Sequence, residues 1–254
     1  MSETTLKGTA RRALYTMLAS WGNIILFTGF AFFLTKFILG QVGTGRGGSD
    51  GTKILIAIGV FLFCMLLASL GLYTLKSSQT IYYFKDGFTI GKNGEKILYQ
   101  GLQYHFVPGT TPDRVMAIFY KSVGKIKRIP AVSYATNAFA TFQEDVVEAN
   151  LPQAIQKIEN GGTVEFRAVG KGSATVKNLE KKLENGIKIK VNTESITFDD
   201  EVYNWADYTI ISDYVGLVVV LDSETNKKIM SFNQKYLVEQ PHILTGLVNI
   251  LGGR

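Results

Sequence analysis

The sequence predicts an α-helical membrane hairpin followed by an α+β region in which short antiparallel strands are closed by amphipathic helices. Three observations carry that prediction. Two long apolar runs without charge, separated by a polar glycine-rich stretch, occupy the first 75 residues. Beyond them, runs rich in Tyr, Phe, Ile, Val and Thr are punctuated by Asp86-Gly87 and Asn93-Gly94, strong short-range signals for β-hairpins. Twice the apolar spacing then lengthens from two residues to that of a helix.

The hairpin is read over 13–75, with spans at about 13–39 and 54–75. Between Arg12 and Lys36 no side chain is charged, and Ile54–Leu75 is a second charge-free run. About 22 residues make roughly 33 Å of helix, enough for a hydrocarbon layer of about 30 Å. The basic residues Lys7, Arg11 and Arg12 also suit a signal peptide, but the apolar run is too long for one and no small-x-small cleavage site follows. Lys7, Arg11, Arg12, Lys76 and Lys85 flank the outer ends of the pair, against Arg46 and Lys53 in the connection. That bias places the protein in the inner (plasma) membrane with both termini cytoplasmic and 1–12 as an N-terminal tail. Lys36 is expected to snorkel to the interface. Gly22, Asn23, Thr28 and Gly29 of the first span are expected to pack on the second span in preference to another copy.

Charge and composition exclude several classes. Residues 76–254 hold 21 basic and 19 acidic side chains, too balanced for a nucleic-acid-binding domain. The one cysteine, Cys64, lies in the second span, and two histidines leave little for a transition-metal site. No cofactor, metal or catalytic set is expected.

After the spans, Gln79–Ile90 reads as a strand pair turned at Asp86-Gly87. Lys96–Val107 reads as one strand with Gly101 as a bulge, 108–113 as a loop, and Val115–Tyr120 and Ile126–Ser133 as strands about Gly124. A helix is predicted from Asn150, with Asn150 as N-cap, Pro152 in its first turn and Gly161 as its stop, and the preceding FQEDVVEA (142–149) as a short turn of helix or a loop. Thr163–Val169 is a strand, 171–186 a polar insert with one exposed helix, and Ile187–Val191 and Ser195–Phe198 a pair about residues 192–194. Tyr203–Ile211 is predicted as a strand carrying Trp205. It is followed by strands at Gly216–Leu221 and Lys228–Phe232 and a closing helix on Ile243, Leu244, Leu247, Val248 and Leu251.

The two parts share a grammar. KDGFTI answers TESITF, AIFYKSVGKIKRI answers VVVLDSETNKKIM, and LPQAIQKIENGG answers QPHILTGLVNILGG. Several bent antiparallel strands closed by one helix suit a small pleckstrin-homology-like (PH-like) barrel. The expected domains are therefore tandem PH-like units at 76–160 and 161–254, each closed by its C-terminal helix, with a single α+β domain as the alternative. The hairpin together with YFKDGF, LPQAIQKIENGGTVEF, YNWADYTI and the closing Pro-helix resembles a group of bacterial membrane-anchored PH-like proteins. More loosely the chain is similar to bacterial PH and YcxB-like membrane families. The resemblance implies the fold; the group brings no established activity or catalytic residue.

Three motifs are weighed and set aside. Gly43, Gly45 and Gly48 match G-x-G-x-x-G, but between apolar spans and outside any βαβ unit. His105 and His242 have no G-x-S-x-G or cysteine partner outside the spans. Asp199-Asp200-Glu201 lacks the spacing of a cation loop. The best cluster is Lys121, Lys125, Lys127 and Arg128 about the Gly124 hairpin, a candidate contact for anionic lipid. The functional expectation is a non-enzymatic, membrane-anchored cytoplasmic scaffold that recognises a protein partner or a second copy. It has weak attraction to anionic lipid and takes no small-molecule substrate. The alternatives are a lipid-sensing envelope or membrane-stress regulator and an accessory subunit of a membrane enzyme or transporter.

Overall fold

Two apolar helices, α1 (Leu14–Leu39) and α2 (Asp50–Ser77), are each long and apolar enough to cross a membrane. The computed structural model describes residues 5–45, 49–77, 79–108, 115–135, 137–170, 175–213, 217–232 and 236–252. The loop expected at 108–113, Gly48 of the glycine motif and the start of the 171–186 insert fall wholly or largely outside them. The contacts divide the chain into two units, one of Arg11–Gln79 with Ser133–Ala135 and one of the remainder.

In the helical unit, α1 and α2 run antiparallel: Ser20 meets Gly71 and Phe32 meets Phe61, ring centroids 5.9 Å apart. The seam is built from small buried residues, Ser20 and Ala31 facing Ala57, Cys64 and Ala68. A Cβ at Gly71 would lie 2.7 Å from the Ser20 carbonyl, so the close approach requires glycine there. A Cβ added at Gly22 or Gly29 would meet nothing within 4 Å, so these glycines do not take part in the seam, against the sequence expectation, whereas Asn23 does, its Cβ 3.5 Å from where one at Gly71 would lie. The reason is phase: the buried positions 20 and 31 select the opposite stripe of the helix. The second helix begins at Asp50 rather than near Ile54. Ser49 Oγ accepts from Thr52 N (3.3 Å), and Lys53 Nζ bonds Asp50 (3.0 Å) and the Gln41 carbonyl (2.8 Å). At the other end the Arg12 guanidinium donates to the Leu75 carbonyl, satisfying an acceptor of the last turn of α2.

The second unit holds four open antiparallel sheets and three α-helices among the described residues, and no sheet closes on itself. Its first half begins with β1 (Leu6–Ala10), which precedes the hairpin in the chain. β1 pairs with β2 (Ile81–Phe84), which follows the hairpin, and β3 (Gly87–Ile90) and β4 (Ile97–Leu98) complete the order β1-β2-β3-β4. The segment read as a tail thus supplies the first strand of this half. β5 (Tyr104–Pro108), β6 (Val115–Ser122) and β7 (Lys125–Ile129) form a three-stranded sheet, and α3 (Ala140–Glu159) follows.

The second half repeats this order. β8 (Val164–Gly170), β9 (Ile187–Val191), β10 (Ser195–Phe198) and β11 (Glu201–Asn204) are a four-strand meander, with α4 (Leu179–Glu184) between β8 and β9. Next come the three-stranded sheet β12 (Tyr208–Asp213), β13 (Leu217–Asp222) and β14 (Lys228–Phe232), then α5 (Pro241–Leu251). An added strand, β15 (Tyr236–Val238), pairs with the outer edge of β8.

Several local expectations are corrected by this arrangement. Gly101 is not a bulge. With φ +68° it turns the chain between β4 and β5, which belong to different sheets. Trp205 is not on a strand. Residues 205–207 carry the chain from β11 to β12, and the indole N–H donates to the Asn192 carbonyl (3.0 Å). α3 starts ten residues before Asn150, because Phe142 and Val146 are fully buried along its first turns. Asn150 is no cap: its carboxamide donates to Tyr99 O and Val146 O (both 2.8 Å) and accepts from Gly101 N (2.7 Å). Pro152 therefore sits inside the helix, on an exposed position where water can serve the Glu148 carbonyl. The stop at Gly161 is as expected. Its φ of +78° and the bonds Gly161 N to Ile158 O and Gly162 N to Lys157 O make a Schellman end.

The halves are filled differently. The first buries rings: Phe142 lies 5.4–5.9 Å from Phe88, Tyr99, Tyr104 and Phe106. The second is mostly aliphatic, and the whole predicted stripe of α5 is buried. α3 serves both: Phe142 is in the ring cluster, while Leu151, Ile155 and Ile158 pack on the second core. The insert helix is not free either. Leu179 is buried against Phe119, Val169 and Leu237.

Candidate functional site

The β6–β7 hairpin carries the four basic residues. Ser122 pairs with Lys125, leaving Val123-Gly124 as a two-residue turn with φ of 48° and 70°. Positive φ at both positions is the condition of a type I′ turn, normally met by Asn-Gly. A β-branched residue in the left-handed region is a genuine outlier, costing roughly 1–2 kcal/mol. Val123 is also 76% exposed.

The register divides the basic cluster. Tyr120 pairs with Lys127 and Ser122 with Lys125, so these lysines share one face of the ribbon with buried Ile129. Phe119 pairs with Arg128 and Lys121 with Ile126, which places Arg128 and Lys121 on the other face. Lys121 is engaged by α4 through Glu180, at 2.6 Å. Lys127 donates to Ser122 Oγ (3.2 Å) and lies 3.8 Å from Glu95. Lys125 and Arg128 are exposed and have no ion pair among the described residues. The alternation of lysines also has a structural use. β7 is an edge strand, and charge on an edge discourages pairing with another chain.

The equivalent turn of the second half contrasts with it. Between β13 and β14 the chain reads Asp222-Ser223-Glu224-Thr225-Asn226-Lys227. Asn226, a residue tolerant of such backbone, takes the positive φ (53°), and the Asp222 carboxylate accepts from Thr225 N (2.8 Å) and Oγ1 (2.7 Å). These bonds hold the Asp222 carboxyl below its usual range.

Both histidines lie where the halves meet. His105 on β5 bridges Glu239, and the Tyr104 hydroxyl is 3.2 Å from His242 Nδ1. Gln240 N donates to the Tyr104 carbonyl and its side chain to Leu102 O, both at 2.8 Å. Burial pushes both imidazoles down to about 4 and raises the Glu239 carboxyl, against the pull of Arg167 and Lys121. Among the described residues His105 Nε2 has no hydrogen-bond partner, and it borders a cavity of about 40 Å³ shared with Lys121, Glu180 and Glu239. That space suits about one water molecule, not a substrate. Among the described residues no three His, Cys, Asp or Glu side chains are grouped to hold a metal ion.

A larger open trough of about 350 Å³ runs along α3 over Val147, Leu151 and Ile155, edged by Glu148 and Glu159. Gly43 and Gly45 of the glycine motif lie in the turn after α1, where Gly43 N donates to Asp50 (3.0 Å). Asp199 and Asp200 form the β10–β11 turn, Asp199 accepting from Lys188 N (2.8 Å) and Glu201 from the Tyr203 hydroxyl (2.7 Å).

No family model, curated protein or solved structure matches the chain. Sequence reading missed two features here: the apolar residue at the hairpin tip and the histidine junction. The first had a signal, since Ser122-Val-Gly-Lys125 is a two-residue turn with the wrong residue at its first position. The second had none, because Glu239 is far from His105 in the chain.

Proposed function

We propose that this chain is a non-enzymatic, membrane-anchored binding or scaffolding protein. Its two-span hairpin is inserted into the first of two PH-like units, and those units hold a protein partner on the cytoplasmic face. The antiparallel pairing of β1 with β2 carries this reading. These strands flank the hairpin in the chain, and two crossings return the chain to the side from which it left. Strands that pair must lie on the same side, so the N-terminal segment and the sheets share a compartment. The excess of Lys and Arg at that end of the hairpin selects the cytoplasm. The repeated order of four strands, three strands and a helix supports PH-like units, although the sheets stay open among the described residues. Partner recognition is assigned to an exposed sheet edge, where an added strand gains ready main-chain hydrogen bonds. β12 and β14, with Ile211 and Ile229 about half exposed, are such edges.

Single cysteines at Thr9, Ser49 and Ser223 in a Cys64→Ala background, treated in intact cells with a membrane-impermeant maleimide, test the topology. Only position 49 is expected to label. Opposite labelling at 9 and 223 would break the same-side argument, and labelling of both with 49 protected would reverse the orientation.

A further inference from the structure

The two hairpin turns that occupy equivalent places in the halves solve one problem in opposite ways. The β13–β14 turn puts Asn226 at positive φ and surrounds it with acidic and hydroxyl side chains, as a water-facing turn does. The β6–β7 turn puts Val123 there, in a conformation that penalises it, and leaves it 76% exposed. Neither packing nor solubility explains the valine. The strand pair around it is basic: Lys125 and Lys127 on one face of the ribbon, Lys127 lying 3.8 Å from Glu95 of another loop, Arg128 on the other face, and no acidic residue between Val115 and Ile129. Strain kept at an exposed position is a reason to look for use.

We infer that the Val123-Gly124 turn is a bilayer-insertion tip, in which the valine enters the headgroup region of an anionic membrane surface while Lys125, Lys127 and Arg128 meet lipid phosphates. The inference rests on the membrane-anchored reading, which keeps the tip at high local concentration near a bilayer and lets one apolar side chain suffice. A single valine ringed by basic groups offers a folded protein no patch to pack against. It suits a fluid surface whose charge is opposite and whose apolar interior lies just beneath. Lys121 is left out, because Glu180 holds it. The tip thus fixes how the first half meets the leaflet and leaves the second half free for the partner.

The test uses the full chain in nanodiscs, either neutral phosphatidylcholine or the same lipid with phosphatidylglycerol. A Val123→Cys variant in the Cys64→Ala background carries an environment-sensitive fluorophore, with Ser223→Cys as the control. Quenching by headgroup nitroxide lipids is expected at 123 in anionic discs, roughly threefold weaker in neutral discs, and reduced at high salt. The label at 223 stays unquenched in both. In the unlabelled chain, anionic discs should protect the bonds after Lys125 and Lys127 from trypsin. Val123→Asn should lose that protection while raising the thermal midpoint, a combination that a purely structural role for the valine does not give. A label at 123 that remains aqueous in anionic discs, in protein that resists carbonate extraction, overturns insertion and leaves the anchor standing. Protein that carbonate strips from the membrane overturns the anchor and the inference with it.

Discussion

The first half of the sheet-and-helix unit, β1 to α3, and the second, β8 to α5, share the order of a four-strand meander, a three-stranded sheet and a helix, with β15 added in the second. They differ in what is inserted after the first strand. In the first half that connection is a pair of helices long enough to cross a membrane; in the second it holds the short helix α4. They also differ in filling, with clustered aromatic rings in one and mostly branched aliphatic side chains in the other. One frame therefore accepts two cores and two insertions. Each insertion occupies the connection after the first strand of a meander, so it replaces a single turn. Long insertions at turns cost little closure entropy, since that cost grows only with the logarithm of length.

The largest effect is expected from breaking the two cores. Phe142→Ala should cost about 3–5 kcal/mol and Leu244→Ala about 2–5 kcal/mol. Because α3 packs on both cores, the two variants are expected to shift one common unfolding transition of the detergent-solubilised chain. Two separate transitions, each moved by one variant, would show that the halves are independent despite the shared helix.

A smaller effect comes from the junction between the halves. His105 and His242 have folded values of about 4, below the ordinary value of 6.5. The folded state thus binds fewer protons than the unfolded state between these limits. Stability is full above pH 6.5, falls as pH drops through that value, and levels off near pH 4, by at most roughly 3 kcal/mol for each histidine. Glu239, whose carboxyl is raised, acts in the opposite sense, since its contribution is present at low pH and is lost as pH rises. Thermal midpoints at pH 7 and pH 5 should differ in the wild type, and the difference should shrink in a His105→Gln, His242→Gln variant. An unchanged difference would place the acid sensitivity elsewhere.

The smallest effect concerns the tie between the first-half hairpin and α4 of the second half. Lys121 and Glu180 are partly exposed, so Glu180→Ala should cost less than about 1 kcal/mol. Leu179→Ala, one residue away and buried, should cost about 2–5 kcal/mol. Chemical denaturation of the two variants separates the charged contact from the packing beneath it. A large loss from Glu180→Ala alone would mean that the ion pair, not Leu179, docks the insert.

The order of strands and turns was legible where both halves obey local rules. Asp86-Gly87 and residues 192–194 are turn chemistry, and the segments KDGFTI and TESITF fall on β3 and β10, the third strands of their meanders. The closing helix α5 was legible in full, since Ile243, Leu244, Leu247, Val248 and Leu251 mark a single stripe, all buried. Lys96–Val107 and Tyr203–Ile211 were misread in the same way. Each is a continuous β-prone run, and period-two patterning gives no sign that the chain changes sheets in its middle. The basic cluster was legible as composition only; adjacent residues in a strand face opposite ways, and pairing decides which face each one takes.

By itself the sequence determined the two apolar runs, the turns at Asp86-Gly87, Gly124 and residues 192–194, and the amphipathic stripe of α5. These follow from interactions between residues a few positions apart, and such spacing is written in the chain. Only the tertiary structure decided that Leu6–Ala10 pairs with Ile81–Phe84 across the whole hairpin. It alone extended α3 ten residues before Asn150 to bury Phe142, and set His105 against Glu239. Those contacts join residues far apart in the chain. Their free energy comes from burial and pairing once the distant partner is in place, and no local pattern of residues records it.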